Sequence, residues 1–310
     1  VDSWHGWALF DTCGPDEDSG RTDCWRDLAR TVDRGENWQL TALPAAANLS
    51  GPVYLLPVDD RTVTVVVSGG YLVTTDGGVS FTEHPAAAPP PATRLGVATR
   101  SGFLLQCPGG NGVADPPCSR LELARVDSVV PSQPPVTLPG NSDRQLIESG
   151  DGRLWLAVRE GDRLTVVVSA DGAATWRKLP AVKRAERLLV SPDGRDTWLE
   201  GIGEGTYNGA AMRQIWQLVG DGWQIPLGLP PDTKSVAATN GETLVLTDAE
   251  GFVSFWINYR YFHPLDTPRS GWIPASVHVL PDDTVTVVTS TSTILGTGPG
   301  VERSWTHLSY

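Results

Sequence analysis

The sequence lacks any apolar run of the roughly 18 residues that a membrane-crossing helix needs. Lysine is scarce, with only Lys178, Lys183 and Lys234 among the 24 basic residues, and no basic cluster forms anywhere in the 310 residues. At a formal net charge of −12, that absence argues against a nucleic-acid groove or a patch for anionic membranes, and the acidity reads as solubility. The five histidines, His5, His84, His263, His278 and His307, are scattered without ligand spacing. No GxxxxGK[ST], GxSxG or HExxH occurs, which sets aside P-loop, α/β-hydrolase and zincin chemistry. Helical periodicity is nearly absent as well.

Only four cysteines are present, and their spacing is informative. Cys13 and Cys24 are eleven positions apart, as are Cys107 and Cys118, each pair flanking a loop of Gly, Pro, Asp and Asn. Cysteines at the two ends of a turn-rich loop are placed to form the disulfides Cys13–Cys24 and Cys107–Cys118, and such bonds persist outside the reducing cytosol. The competing zinc reading wants cysteines two to four apart and more histidine. The expected location is therefore extracytoplasmic. A start at Val1 without a signal peptide fits a mature or trimmed chain, with any export signal or anchor expected upstream. The sequon at Asn48 carries meaning only in a eukaryotic secretory setting.

What fills the chain is short runs of Val, Thr, Leu and Trp bounded by Gly, Asp, Asn and Pro, which is the pattern of an all-β protein. One template recurs: strand, tight Asp/Gly turn, strand, loop, strand, Asp-containing turn, then a strand with an aromatic and a closing Leu-Pro. It can be followed through seven repeats of about 44 residues, at 1–44, 48–88, 93–139, 143–181, 186–230, 234–268 and 275–310. Four antiparallel strands per repeat predict a seven-bladed β-propeller in a single domain, since a sandwich would not require one template with a recurring aromatic. Repeat one begins near the end of its first strand, so the innermost strand of that blade is expected upstream of Val1 or closure there is unusual.

The stretches TVDRGENW (31–38), TTDGGVSF (74–81) and SADGAATW (169–176) share a hydroxyl residue, an Asp two places on and an aromatic seven places on. This box resembles the Asp-box, or BNR repeat, of sialidases and related propellers. Two copies match fully, and the third carries Ala173 where Gly is expected. The family includes sialidases, other glycosidases, sorting receptors and photosystem-assembly factors, so the resemblance implies fold more than activity. In the template, Asp33, Asp76 and Asp171 sit in the turn between third and fourth strands, accepting hydrogen bonds from nearby amides. Gly35 and Gly78 allow positive φ, while Trp38, Phe81 and Trp176 pack between sheets. Carboxylates spread one per blade cannot converge on a substrate, because glycosidase pairs lie within about 5–10 Å of each other. The boxes are therefore expected to be structural.

The longest connections between second and third strands, at 13–24, 107–118 and about 200–212, should rise on the face opposite the boxes, which is the candidate functional face. It is also the active-site face that the sialidase resemblance implies. The connection at 200–212 offers Glu200, Glu204, Tyr207, Asn208 and Arg213 as catalytic or ligand-binding candidates. A sialidase-like mechanism would want Tyr as nucleophile, Glu as its base, and arginines from several blades around the substrate carboxylate. Asp16 and Asp18, beside Glu17 and Asp23, are candidates for Ca²⁺ in a loop without EF-hand spacing. In FWINYRYFHP (255–264), Trp256, Tyr259 and Arg260 could stack on a ligand, although strands between neighbouring blades need bulky residues on both faces.

Two functions follow. The first is an exported, monomeric, non-catalytic module binding a protein or glycan, without a cofactor. The second is a sialidase-like glycoside hydrolase, weakened because the Phe/Tyr-Arg-Ile-Pro segment of sialidases is missing. That segment would, however, fall in the strand upstream of Val1. An assembly factor similar to the photosystem-associated propellers is a remoter third.

Overall fold

The computed structural model describes residues 2–15, 22–44, 53–67, 70–85, 99, 101–106, 121–125, 132–137, 143–207, 210–224, 228–248, 252–257, 260–262, 276–289 and 292–309. The described residues are all β with no helix, and none is a helix long and apolar enough to cross a membrane. The chain divides into two compact units, Val1–Pro134 and Pro135–Tyr310.

The first unit holds β1 (Gly6–Pro15), β2 (Thr22–Thr31) and β3 (Gln39–Ala42) in a three-stranded antiparallel sheet. A four-stranded sheet of β4 (Tyr54–Pro57), β5 (Val63–Val67), β6 (Gly70–Thr74) and β7 (Thr82–Pro85) follows, and then the pair β8 (Phe103–Gln106) and β9 (Glu122–Arg125). Leu28 of the first sheet packs on Val63, Val65 and Leu72 of the second, with Trp7, Leu9 and Phe81 around them. Within the span 13–24, expected to be a loop, residues 13–15 belong instead to β1 and residues 22–24 to β2, paired residue by residue across the ribbon. That register sets Cys13 directly opposite Cys24. Asp16, Asp18, Cys107 and Cys118 lie outside the described residues.

The second unit is a series of antiparallel sheets, one of five strands followed by three of four, each built around a four-strand meander in chain order. The first comprises β10 (Arg144–Glu148), β11 (Leu154–Glu160), β12 (Arg163–Ser169) and β13 (Arg177–Lys178), with β14 (Val182–Lys183) pairing β12 as well. The next is β15 (Ala185–Val190), β16 (Thr197–Tyr207), β17 (Ala210–Val219) and β18 (Gly222–Gln224). It is followed by β19 (Ser235–Thr239), β20 (Thr243–Thr247), β21 (Val253–Ile257) and β22 (Arg260–Phe262). The last is β23 (Ser276–Val279), β24 (Val285–Val288), β25 (Ser292–Thr297) and β26 (Ser304–Ser309).

Each inner sheet is buried on both faces, which explains strands that are apolar almost throughout rather than alternating with polar residues. Leu188 and Leu199, opposite each other in β15 and β16, turn toward Trp155, Leu164 and Val166 of the preceding sheet. One position along, the pair Leu189 and Trp198 packs with Val236, Leu244 and Trp256 of the following sheet. A strand's side chains point alternately to opposite faces, so both sets are buried at once. Val245 and Phe255 repeat the arrangement against Val277, Val285 and Ile294.

The short turns joining first to second strands are fastened to one another. Gly150 donates its N–H to the Pro192 carbonyl at 2.6 Å, Asp193 N–H to Asn240 Oδ1 at 2.9 Å, and Asn240 N–H to Asp283 Oδ1 at 2.9 Å. Gly150 has to be glycine, because a Cβ there would stand 2.6 Å from the Pro192 oxygen. Asp283 also holds the Arg303 guanidinium at 2.8 Å, and that side chain is wholly buried.

Trp198 is fully buried, and its indole N–H has no hydrogen-bond partner among the described residues. Trp198→Ala is expected to cost about 3–5 kcal/mol in chemical denaturation. Trp198→Phe, which keeps a ring and removes the unmet donor, is expected to cost less than half as much. Equal losses would mean that the indole is not packed as described.

Candidate functional site

Each box occupies one end of the sheet that carries it. The Thr31 hydroxyl donates to Asp33 at 2.8 Å, and Asp33 receives the Asn37 N–H at 2.9 Å and its side-chain amide at 2.7 Å. Asp76 is held the same way by the Thr74 hydroxyl at 2.8 Å, the Val79 and Ser80 amides at 3.0 Å and the Ser80 hydroxyl at 2.6 Å. Asp171 takes the hydroxyls of Ser169 at 2.8 Å and Thr175 at 2.6 Å. Gly35 and Gly78 adopt φ of 87° and 92°, and Ala173 accepts the same left-handed region at 69°. It is fixed there by its N–H bond to the Ser169 hydroxyl at 2.9 Å.

One expectation for the boxes is corrected. Phe81 packs on the first sheet and Trp176 is half-buried, but Trp38 is 41% exposed, edge-on to the exposed Phe10 at 6.4 Å between centroids. The reason is local: Trp38 lies over Gly6 and Gly35, which offer no side chain to cover it.

The Thr175 hydroxyl, then the Thr175 amide and the Ser169 hydroxyl, lower the Asp171 carboxyl from 3.8 to about 2. Asp33 and Asp76 are lowered too, first through Asn37 and Ser80 respectively. A depressed folded value means that the contribution to stability is complete above the ordinary 3.8 and is lost as pH falls toward about 2. A carboxyl-detected NMR titration should put the Asp171 midpoint near 2, and Thr175→Val should raise it. A midpoint at the ordinary value in the unmodified protein would contradict the bonding described.

At the other end of the sheets in the second unit, where first strands begin and second strands finish, lies a cavity of about 470 Å³. It is bordered by β10, β15 and the start of β19. Gln145 reaches from β10 to the next sheet, its Oε1 accepting the Leu188 N–H at 2.7 Å and its Nε2 donating to the Leu188 carbonyl at 3.4 Å. Arg187 reaches from β15 to the Val236 carbonyl at 2.6 Å, and Ser235 accepts the Val277 N–H at 3.1 Å. Arg159, at the end of β11, pairs with Asp143.

Glu200, the first sequence candidate, stands in this wall with a side chain that is 0% exposed. Arg187 donates to its Oε2 through Nε at 2.9 Å and Nη2 at 2.6 Å, and Arg213 holds Oε1. A carboxylate cannot stay ionised out of water without such partners. Gly201 follows because the Arg184 carbonyl crosses where its Cβ would be, and that carbonyl accepts the Ile202 N–H at 3.0 Å.

The expected loop at 200–212 is instead a strand ribbon, β16 running on to Tyr207 and β17 starting at Ala210, with Tyr207 opposite Ala210. The physical reason is that the Gly-rich stretch still pairs across the ribbon after a bulge between Ile202 and Thr206. Seven residues of strand separate the backbones of Glu200 and Tyr207 by roughly 20 Å at ~3.3 Å per residue. Glu204 is exposed on the ribbon, and Asn208 lies outside the described residues. The structure therefore brings Glu200 and Arg213 together and leaves Glu204 and Tyr207 apart from them.

Trp256 is buried in the core between sheets, Arg260 is exposed in β22, and Tyr259 lies outside the described residues. Among the described residues, no group of three or more His, Cys, Asp or Glu could hold a metal ion. Sequence reasoning missed Gln145, Arg159, Glu186, Arg187 and Lys234. Their common signal was position, at the opening of a first strand or the close of a second.

No family model matches the chain, and no curated protein matches its sequence. Similarity emerges from structure. An acylaminoacyl peptidase of Pyrococcus horikoshii aligns at a TM-score of 0.54 with 12% identity, over 98% of this chain and 50% of that one. At that identity the likeness is one of fold alone. YCF48 bound to D1 peptide (TM-score 0.48, 15% identity, 91% of this chain and 93% of that one) and an oligogalacturonate lyase in complex with manganese (0.49, 11%, 99% and 98%) are more distant.

Glu200→Ala removes a buried counterion from two arginines and is expected to destabilise by on the order of 3 kcal/mol in chemical denaturation. Glu186→Ala, in the same wall without such partners, should change stability by less than about 0.5 kcal/mol. Equal effects would refute the distinction.

Proposed function

We propose that the seven repeats are the blades of an Asp-box-type propeller, and that the chain is an exported, non-catalytic module that binds a protein or glycan at the cavity between β10, β15 and β19. The single observation that supports this is the state of Glu200. A general base or the partner of a nucleophile needs a carboxylate within hydrogen-bond reach of the group it serves. Glu200 is sealed from solvent and committed on both oxygens to Arg187 and Arg213. A fixed, charged concavity on rigid strands is a binding feature, and its size falls in the range of ligand pockets. The extracytoplasmic location goes with the disulfides Cys13–Cys24 and Cys107–Cys118, the first supported by the direct opposition of its backbone positions in β1 and β2.

The test is hydrolysis of a fluorogenic sialoside beside NMR mapping of peptide and glycan libraries on the labelled protein. No turnover, with shifts clustering at Gln145, Arg187 and Ser235, is expected. Steady turnover abolished by Glu200→Gln would overturn the reading in favour of a hydrolase. Digestion of the same preparation without reductant should release Cys13 and Cys24 in one linked fragment, and two free thiols would remove the support for export.

A further inference from the structure

Most of the charge around the cavity is matched within the protein. Asp143 pairs with Arg159, and the Glu200 carboxylate is shared by Arg187 and Arg213. Two charged side chains have no partner at all among the described residues. The Lys234 ammonium and the Glu186 carboxylate border the same cavity, and neither has a hydrogen-bond or ion-pair partner among the described residues.

Both are held on fixed backbone. The Lys234 N–H donates to the Thr247 carbonyl at 2.7 Å, immediately before β19 begins, and its side chain is exposed. Glu186 sits in a register shift: Ala185 is opposite Gly201 and Arg187 opposite Glu200, so Glu186 faces no residue of β16. A bulge of this kind re-aims one side chain at the edge of a sheet. The result is one unmatched cation and one unmatched anion beside a single polar cavity, in addition to the surplus positive charge of two arginines on one carboxylate.

Resting on the reading of this cavity as the ligand site, we propose that it takes a peptide segment carrying both an acidic and a basic side chain. The acid meets Lys234 and the outer side of the arginine pair, and the base meets Glu186. Charge-assisted hydrogen bonds of both signs are then completed together. A sialylated glycan, anionic only, would satisfy Lys234 and set a second negative charge near Glu186. A neutral glycan would satisfy neither. Specificity arises here from the group the wrong ligand leaves unmet or repels.

The experiment uses the full chain and an array of end-capped peptides in which acidic, basic and neutral residues are paired at spacings of one to four, with a sialylated glycan array alongside. Peptides carrying one acid and one base should bind at least tenfold more tightly than all-acidic or neutral ones. Lys234→Ala should abolish the preference for the acid while keeping that for the base, and Glu186→Gln should do the reverse, both with unchanged melting temperature. All-acidic peptides or sialylated glycans binding as tightly through Lys234 would overturn the dipolar ligand while leaving the binding-module reading in place. Peptide binding that neither substitution alters, or no binding by either array, would overturn both.

Discussion

The first strand of each sheet in the second unit has a strand neighbour on one side only, and the rest of that unit depends on how the other side is satisfied. An open strand edge carries N–H and C=O groups that cost free energy if buried unpaired. Neighbouring first strands belong to different sheets, so they cannot satisfy one another as a ladder. Side chains bridge them instead. The Gln145 amide presents one acceptor and one donor to the Leu188 backbone, as a strand would. Arg187 reaches the Val236 carbonyl, and Ser235 receives the Val277 N–H. Three residue types perform one task at equivalent places, each selected by the gap it spans.

The choice of arginine in the second bridge has a consequence for the site. A guanidinium turned inward to a carbonyl needs a counterion close by, and Glu200, directly opposite Arg187 in the β15–β16 register, supplies it. Arg213 completes the second oxygen from β17. Glu200 is thus the anion that accompanies the Arg187 bridge. Breaking such a pair by removing one partner is costly, whereas the pair itself adds little net stability, so its value lies in fixing where the charges stand.

The sequence makes the sheets legible because their signal is local and repeated. Each box is a hydroxyl, an Asp and an aromatic within eight residues, and the hydrogen bonds of Thr31–Asp33, Thr74–Asp76 and Ser169–Asp171 span two positions. Turns such as those at Asp59 and Asp282 are equally short-range, the Asp side chain accepting amides two residues on. The site is not local. Gln145 acts on Leu188 from 43 positions away, and Arg187 on Val236 from 49, so no window of sequence contains a bridge and its target. Glu200, Glu204 and Tyr207 are close in sequence, but an extended strand carries sequence neighbours apart in space. Ala173 shows the converse: a residue that breaks the pattern keeps the turn, because the Ser169 hydroxyl still fixes its amide.

These facts assign different physical work to the two ends of each sheet. At the box end the carboxylates are saturated by their own turns, and the first-to-second-strand turns are tied to their neighbours through Asp193, Asn240 and Asp283. Groups already fully bonded have nothing left to offer a ligand. At the opposite end the bridges consume Gln145, Arg187 and Ser235, but Glu186 at the bulge and Lys234 before β19 border the cavity with no ion-pair partner among the described residues. On the proposed binding reading, a charged cavity with walls fixed in this way would need no reordering when a ligand arrives, so that binding free energy would not be spent on organising the site.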